Sequence, residues 1–283
     1  MNVNSYVLNA FFCSIEERSH LCSFLQKNES EKILSLPLID QKPKEFESSF
    51  LLTIHPQFFI KPLDHYTDND KRLFLSCLSI EQRDFLAAKY TLDPETIPLT
   101  EKAGNFLKTK LYSMILLEYP KKIIPLPCLP PHPLTPLLNL DCRNLNRIIR
   151  FLGLYDLSIE IKKVIETKVL KKIDEILSEE EKEYLKLIRT TRSSLTFSPL
   201  HLNKWDFSEE SLDLVIKTRG LNRLAKALHG EEPNLIAYLG LKLGLKQALA
   251  LEKLSVNIKN PEAHQTLLKE VLSVLQTLNQ VAA

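Results

Sequence analysis

At 283 residues the chain is long enough to bury a sizeable core in one large or two smaller domains. Its composition, 44% hydrophobic and 25% charged, is that of an ordinary globular protein, and a formal charge of +2 supplies no bulk attraction to nucleic acid or to an anionic membrane. Six glycines favour helices over a turn-rich β fold, and five cysteines, odd in number and without Cys-x-x-Cys spacing, argue against a disulfide framework or a structural zinc site.

Taken in chain order, residues 4–27 predict a helix, with Val7, Leu8, Phe11, Phe12 and Ile15 on its apolar side. The N-terminus has neither the basic region nor the apolar run of a signal peptide, and no stretch reaches the roughly 20 apolar residues that span a bilayer. Residues 28–45 are polar and proline-containing and read as a loop. Residues 46–62 carry Phe50, Leu51, Leu52, Ile54, Phe58, Phe59 and Ile60, and this bulk predicts a short strand-like segment interrupted by Pro56. Asp68 or Asp70 can cap a helix through Leu78. Ser79 with Gln82 forms a capping box for another, which turns Phe85 and Leu86 inward. Thr100 caps a helix that ends before Pro120. Seven of the sixteen prolines then fall between 120 and 136, which excludes α-helix and predicts an extended connector. The expected division is therefore 1–119, a proline-rich connector at 120–136, and a helical domain at 137–283.

Asp141 caps a helix with Leu145, Ile148, Ile149 and Leu152 on one face, and Gly153 sits where a left-handed C-terminal cap belongs. A second long helix follows, with Leu157, Ile161, Ile165, Val169, Ile173 and Ile176 at steps of three and four. That stripe is expected to be core, with Lys162, Lys163, Lys168, Lys171 and Lys172 on the opposite face. Ser178 with Glu181 opens the next helix as a capping box. Further helices are predicted at about 208–218, 221–229, 233–243 and 245–257, punctuated by Gly220, Gly230 and Gly244. A last one opens at Asn260 and Pro261, with Leu267, Leu268, Val271, Leu272, Leu275 and Leu278 as its stripe. The fold class is thus mostly α, a multi-helix protein with one minor strand-like segment.

A search for chemistry finds no catalytic constellation. No glycine-rich loop can cradle a phosphate, and no serine has a Gly-x-Ser-x-Gly setting. The seven histidines are scattered; His55 and His65, near Asp64 and Asp68, read as ordinary loop residues rather than a metal pair. Acid pairs such as Glu209-Glu210 fall at helix starts, where they compensate the dipole. No catalytic residue, cofactor or metal site is expected. Phe58, Phe59, Tyr66 and Trp205 are the candidate partner-binding anchors, weighed against the simpler expectation that such aromatics are core.

Arg150-Phe151-Leu152-Gly153-Leu154, the apolar-striped helix after it and the Leu177-Ser178 helix start carry a resemblance. So do the ten residues from Arg219 to Leu228, then Pro233 and Leu241-Lys242-Leu243. In that order they resemble the SctK/YscK-like accessory proteins of the type III secretion sorting platform, over roughly residues 120–250. The resemblance implies a cytoplasmic, mostly helical, non-enzymatic adaptor at the inner membrane. It would link the cytoplasmic domain of the inner-membrane ring protein to the pod (SctQ-like) protein, and indirectly to the ATPase–stator complex, with no nucleic acid. The alternative from another class is a helical nucleic-acid-binding or regulatory protein that uses the basic face at 162–172. An enzyme with an unrecognised site ranks last.

Overall fold

The computed structural model describes residues 9, 22–36, 49–119, 126, 129–130, 132–190, 195, 197, 199–200, 202, 205–229, 233–256 and 260–281. Among them the regular structure is helical: α1 (Lys27–Leu34), α2 (Gln57–Leu63), α3 (Asp68–Leu75), α4 (Ile80–Tyr90), α5 (Glu101–Glu118), a 3-10 turn (Thr135–Asn139), α6 (Cys142–Ile161), α7 (Thr167–Ile176), α8 (Glu179–Thr190), α9 (Glu209–Ala227), α10 (Pro233–Lys242), α11 (Leu245–Leu254) and α12 (Pro261–Val281). None of the described helices is long and apolar enough to cross a membrane. The chain divides into two compact units, one of residues 1–135 with 232–245 and one of residues 136–231 with 246–283. Helix α10 thus belongs with the N-terminal residues, although it follows the proline-rich stretch in the chain.

The first unit is built on α2, α5 and α10. The strand expected at 46–62 is absent from its described residues: 49–51 form a helical turn and 57–63 form α2. The reason lies in the periodicity. Phe58, Phe59, Pro62 and Leu63 are the buried residues of α2, a helical spacing and not the alternation of a strand. Pro56, at φ −60 and ψ −22, leads into the helix instead of breaking a strand. Gln82, besides closing the predicted capping box with Ser79, donates from Nε2 to the carbonyls of Leu51 (3.0 Å) and Ile54 (2.7 Å), which satisfies the backbone of that turn. Leu86 is fully buried as expected, but Phe85 is exposed and lies edge-on to His55. Tyr112 of α5 and Tyr238 of α10 share a hydroxyl contact at 3.3 Å, and Phe50 meets the Tyr238 ring edge-on at 5.1 Å. Lys242, with no exposed surface, donates to Thr53 Oγ1 at 2.9 Å and lies over the Phe50 ring.

Other expectations in this unit shift at the boundaries. Thr67, not Asp68 or Asp70, caps α3 by accepting from the Asp70 amide. Residues 28–34, expected to be loop, belong to α1, whose Ile33 packs against Cys22 and Leu25. Val7, Leu8, Phe11, Phe12 and Ile15, the apolar side predicted for residues 4–27, lie outside the described residues. Thr100 caps α5 through the Ala103 amide. Gly104 of α5 has nothing within 4 Å of where a Cβ would stand. Gly104→Ala is therefore expected to stabilise the protein by about 0.5–1 kcal/mol, through the lower backbone freedom of alanine in the unfolded chain. The shift in the denaturation midpoint checks it.

The second unit is organised by α6 and α9, with α8 and α12 packed against α6 and α12 also against α9. Asp141 caps α6 through the Asn144 amide at 2.7 Å, as its sequence predicts. Gly153 is no C-terminal cap, because α6 runs through it to Ile161. Gly220 likewise does not separate two helices; α9 runs through it from Glu209 to Ala227. Both glycines mark a close approach of backbones. A Cβ on Gly153 would stand 2.1 Å from the Ile216 carbonyl oxygen, and one on Gly220 would stand 1.6 Å from the Ile149 carbonyl oxygen.

The helix expected to carry one stripe from Leu157 to Ile176 is two helices. Helix α6 ends at Ile161, and α7 starts at Thr167. Between them the run Val164-Ile165-Glu166-Thr167 is rich in β-branched residues, whose stiff side chains disfavour helix. Val169 and Ile173 are buried as expected, but Ile165 is 93% exposed. Ile165→Ala is consequently expected to change stability by less than about 0.5 kcal/mol, as a surface substitution does. A denaturation curve checks it, and a loss of about 2 kcal/mol or more would place the side chain in a packed core.

Candidate functional site

Two features of the second unit stand out, a buried ionic cluster and an open apolar groove. The cluster centres on Arg223 of α9, whose side chain has no exposed surface. Nη1 donates to Glu270 Oε2 of α12 at 2.5 Å and Nη2 to Asp156 Oδ1 of α6 at 2.7 Å. The guanidinium also lies over the rings of Tyr155 (5.3 Å) and Phe197 (5.0 Å). Burial pushes the Glu270 carboxyl above its ordinary range; Arg223 pulls it back, and the Asp156 carboxylate adds to the push. Asp156 Oδ2 and Arg223 Nε have no hydrogen-bond partner among the described residues. A second network joins Arg150 of α6 to Glu181 of α8 and Asp213 of α9, while Arg147 pairs with Glu180. Glu181 also closes the predicted capping box, with its carboxylate accepting from the Ser178 amide at 2.9 Å. These groups are spent on one another and tie α6, α8, α9 and α12 together.

The groove lies where α6 gives way to α7. Val164, Ile165, Val169, Pro199 and Leu202, with the charged Glu160, Lys163 and Glu166, line a cavity of about 410 Å³. Leu202 also lines a second cavity of about 410 Å³, with Leu200, Trp205, Leu212, Val215 and the polar Asp206 and Ser211. Glu160, near the end of α6, accepts from the Leu200 amide at 2.5 Å. The other end is shaped by the start of α9. Ser208 caps that helix by accepting from the Ser211 amide, and Asp206 Oδ1 accepts from the Ser208 amide and from both hydroxyls. Those bonds hold the Asp206 carboxyl below its usual value, the one from the Ser211 hydroxyl foremost. Trp205 donates from Nε1 to Ser211 Oγ at 2.7 Å, and Phe207, at a φ of 61, stacks on it with ring centroids 5.3 Å apart. A phenylalanine in the left-handed region costs of order 1–3 kcal/mol, and here it keeps a second aromatic ring half in solvent.

Of the four predicted anchors, only Trp205 lines this groove. Phe58 and Phe59 are buried in the first unit, where Phe58 meets the Tyr119 ring edge-on. Side chains packed in their own core have no area left for a partner, so both are withdrawn as anchors. Tyr66 is half-buried in the same unit, against Phe74 and with its hydroxyl donating to Met114 Sδ at 3.6 Å. Ile165, Val164, Leu202 and Phe207 escape sequence reasoning. The signal that could have found Ile165 is the β-branched run that interrupts α7's approach. His55 Nδ1 accepts from the Gln57 amide at 3.3 Å, and burial lowers its pKa, as suits a neutral structural histidine. No group of three or more potential metal ligands occurs among the described residues. Comparison with protein families, with curated proteins and with solved structures finds no match.

Proposed function

We propose that this chain is a non-enzymatic adaptor of a type III secretion sorting platform, cytoplasmic and peripheral to the inner membrane. In that role it holds the cytoplasmic domain of the inner-membrane ring protein and the pod (SctQ-like) protein, and reaches the ATPase–stator complex through the pod. The observation that supports this reading is where the family-like residues lie. Arg150 to Leu154 and Arg219 to Leu228 form the two facing segments of the α6–α9 crossing, and two of the four charged side chains among them, Arg150 and Arg223, are engaged in holding helices together. Residues of that kind build a rigid body, and a rigid body with an open apolar groove is what an adaptor needs.

The test is co-purification of the intact chain with the ring protein's cytoplasmic domain and the pod protein, all three co-expressed. The expected result is retention of both components through a wash at high salt. Retention of neither by the folded chain, together with recovery of RNA or DNA that falls steeply with salt, would replace the adaptor with a nucleic-acid-binding protein acting through the 162–172 lysines.

A further inference from the structure

We infer that Glu270 takes up a proton as the medium turns mildly acidic, and that this proton tightens α12 against α6 and α9. The buried cluster is then an acid-strengthened clamp on the last helix, whatever partner the chain holds.

The cluster sets one cation against two carboxylates. Arg223 has no exposed side-chain surface, Asp156 keeps 5% of its own and Glu270 8%. Nη2 of Arg223 reaches Asp156 Oδ1 on α6 at 2.7 Å, and Nη1 reaches Glu270 Oε2 on α12 at 2.5 Å. With both carboxylates ionised, one negative charge is left uncompensated away from water, which is costly. A proton on Glu270 removes that charge and leaves Arg223 and Asp156 as a balanced pair. Oε2 accepts from Arg223, so the proton goes to Oε1. Glu270 is its seat for two reasons. A glutamate carboxyl holds its proton more tightly than an aspartate carboxyl from the start. Burial, with the Asp156 carboxylate nearby, raises it further against the pull of Arg223. The small exposure that Glu270 retains lets the proton exchange with solvent.

No other described group supplies the missing positive charge. On α6, Tyr155 stands beneath the guanidinium, and its hydroxyl meets that of Tyr184 of α8 at 3.0 Å. Burial raises both phenols, so both stay neutral. Glu160, one turn beyond Asp156, is itself an acid and bonds the Leu200 amide. On α9, Arg219 donates to the Pro199 carbonyl and Lys226 to the Val256 carbonyl. On α12, His264 meets the Ala227 carbonyl at 3.0 Å, and Ser273 hydrogen-bonds with the two tyrosines. Leu195 and Phe197 bring a carbonyl and a ring to Arg223, and no charge.

A carboxyl that is raised in the folded chain and ordinary in the unfolded one makes the folded chain bind more protons between the two values. The stability it contributes is complete below the ordinary carboxylate range and is lost as the pH rises through the raised value. Among the described residues Glu270 is the one buried charge of α12, beside Leu267, Val271 and Val274, so the packing of that helix feels the change.

The test compares the intact chain with Glu270→Gln, which mimics the protonated carboxyl, by urea denaturation from about pH 8 to about pH 5. The expected result is a difference between the two midpoints that moves steadily in favour of the unaltered chain as the pH falls. Amide protection across α12, corrected for intrinsic exchange, should rise with acid in the unaltered chain and not in the variant. A midpoint difference that does not change with pH, or an unaltered chain that loses ground in acid, would overturn the proposal. A second measurement needs no variant to fold: the Glu270 carboxyl carbon of the unaltered chain, followed by NMR, is expected to titrate above the ordinary carboxylate range. Titration within or below that range would equally sink the clamp. Asp156→Asn, which removes the competing carboxylate, should move that titration to lower pH.

Discussion

Arg223→Ala is expected to destabilise the second unit by about 3–5 kcal/mol, read from the denaturation midpoint of helical circular dichroism. Removing the guanidinium leaves Asp156 and Glu270 facing each other, both nearly excluded from solvent, with no cation to offset their charge. It also removes the group lying over Tyr155 and Phe197. Arg223→Lys should not restore stability, because one ammonium cannot reproduce a fork that reaches carboxylates on two different helices. Replacing all three residues together with apolar side chains of similar volume should recover much of the loss, since the cost lies in stranded charge and not in the absence of a bond. If Arg223→Ala lost less than about 1 kcal/mol, the cluster would have to be open to water.

Gly220→Ala is expected to cost at least about 3 kcal/mol, the upper end of what overpacking usually exacts. The added methyl would stand 1.6 Å from a backbone carbonyl oxygen of α6, and no rotamer change can move a backbone atom out of the way. The helices must separate, and the Arg223 fork, three residues further along α9, loses its reach to α6. Gly153→Ala meets the same obstacle at the Ile216 carbonyl. The contrast with Gly104→Ala, expected to stabilise, isolates the cause as contact and not helix propensity.

These two sites also show how much of the molecule could be read from sequence. The caps at Ser79, Thr100, Asp141 and Ser178 were legible because a cap is a local pattern, complete within four residues. The role of Gly153 was not legible. A glycine after a run of apolar helix residues looks the same whether it ends the helix or meets another one, and the distinction depends on Ile216, 63 positions away. Gly220 misleads in the same way. Arg223 reads as one more helix-favouring base until Asp156 and Glu270 are brought to it from other elements. Residues 46–62 show propensity overruled: their phenylalanines favour strand, but their spacing buries one helical face against α5. Ile165 fell on the expected stripe, and only the break of the helix at 162–166 turned it outward. The groove was therefore invisible in sequence except for Trp205, because its lining comes from α6, α7, Pro199, Leu200, Leu202 and the start of α9.

The central claim is that this chain works by holding another protein at that groove. The most direct measurement places a photo-crosslinking phenylalanine at position 165 of the intact chain in cells carrying the secretion genes. The expected result is a light-dependent adduct to the ring or the pod component. A folded chain that forms no protein adduct from position 165 would contradict the claim.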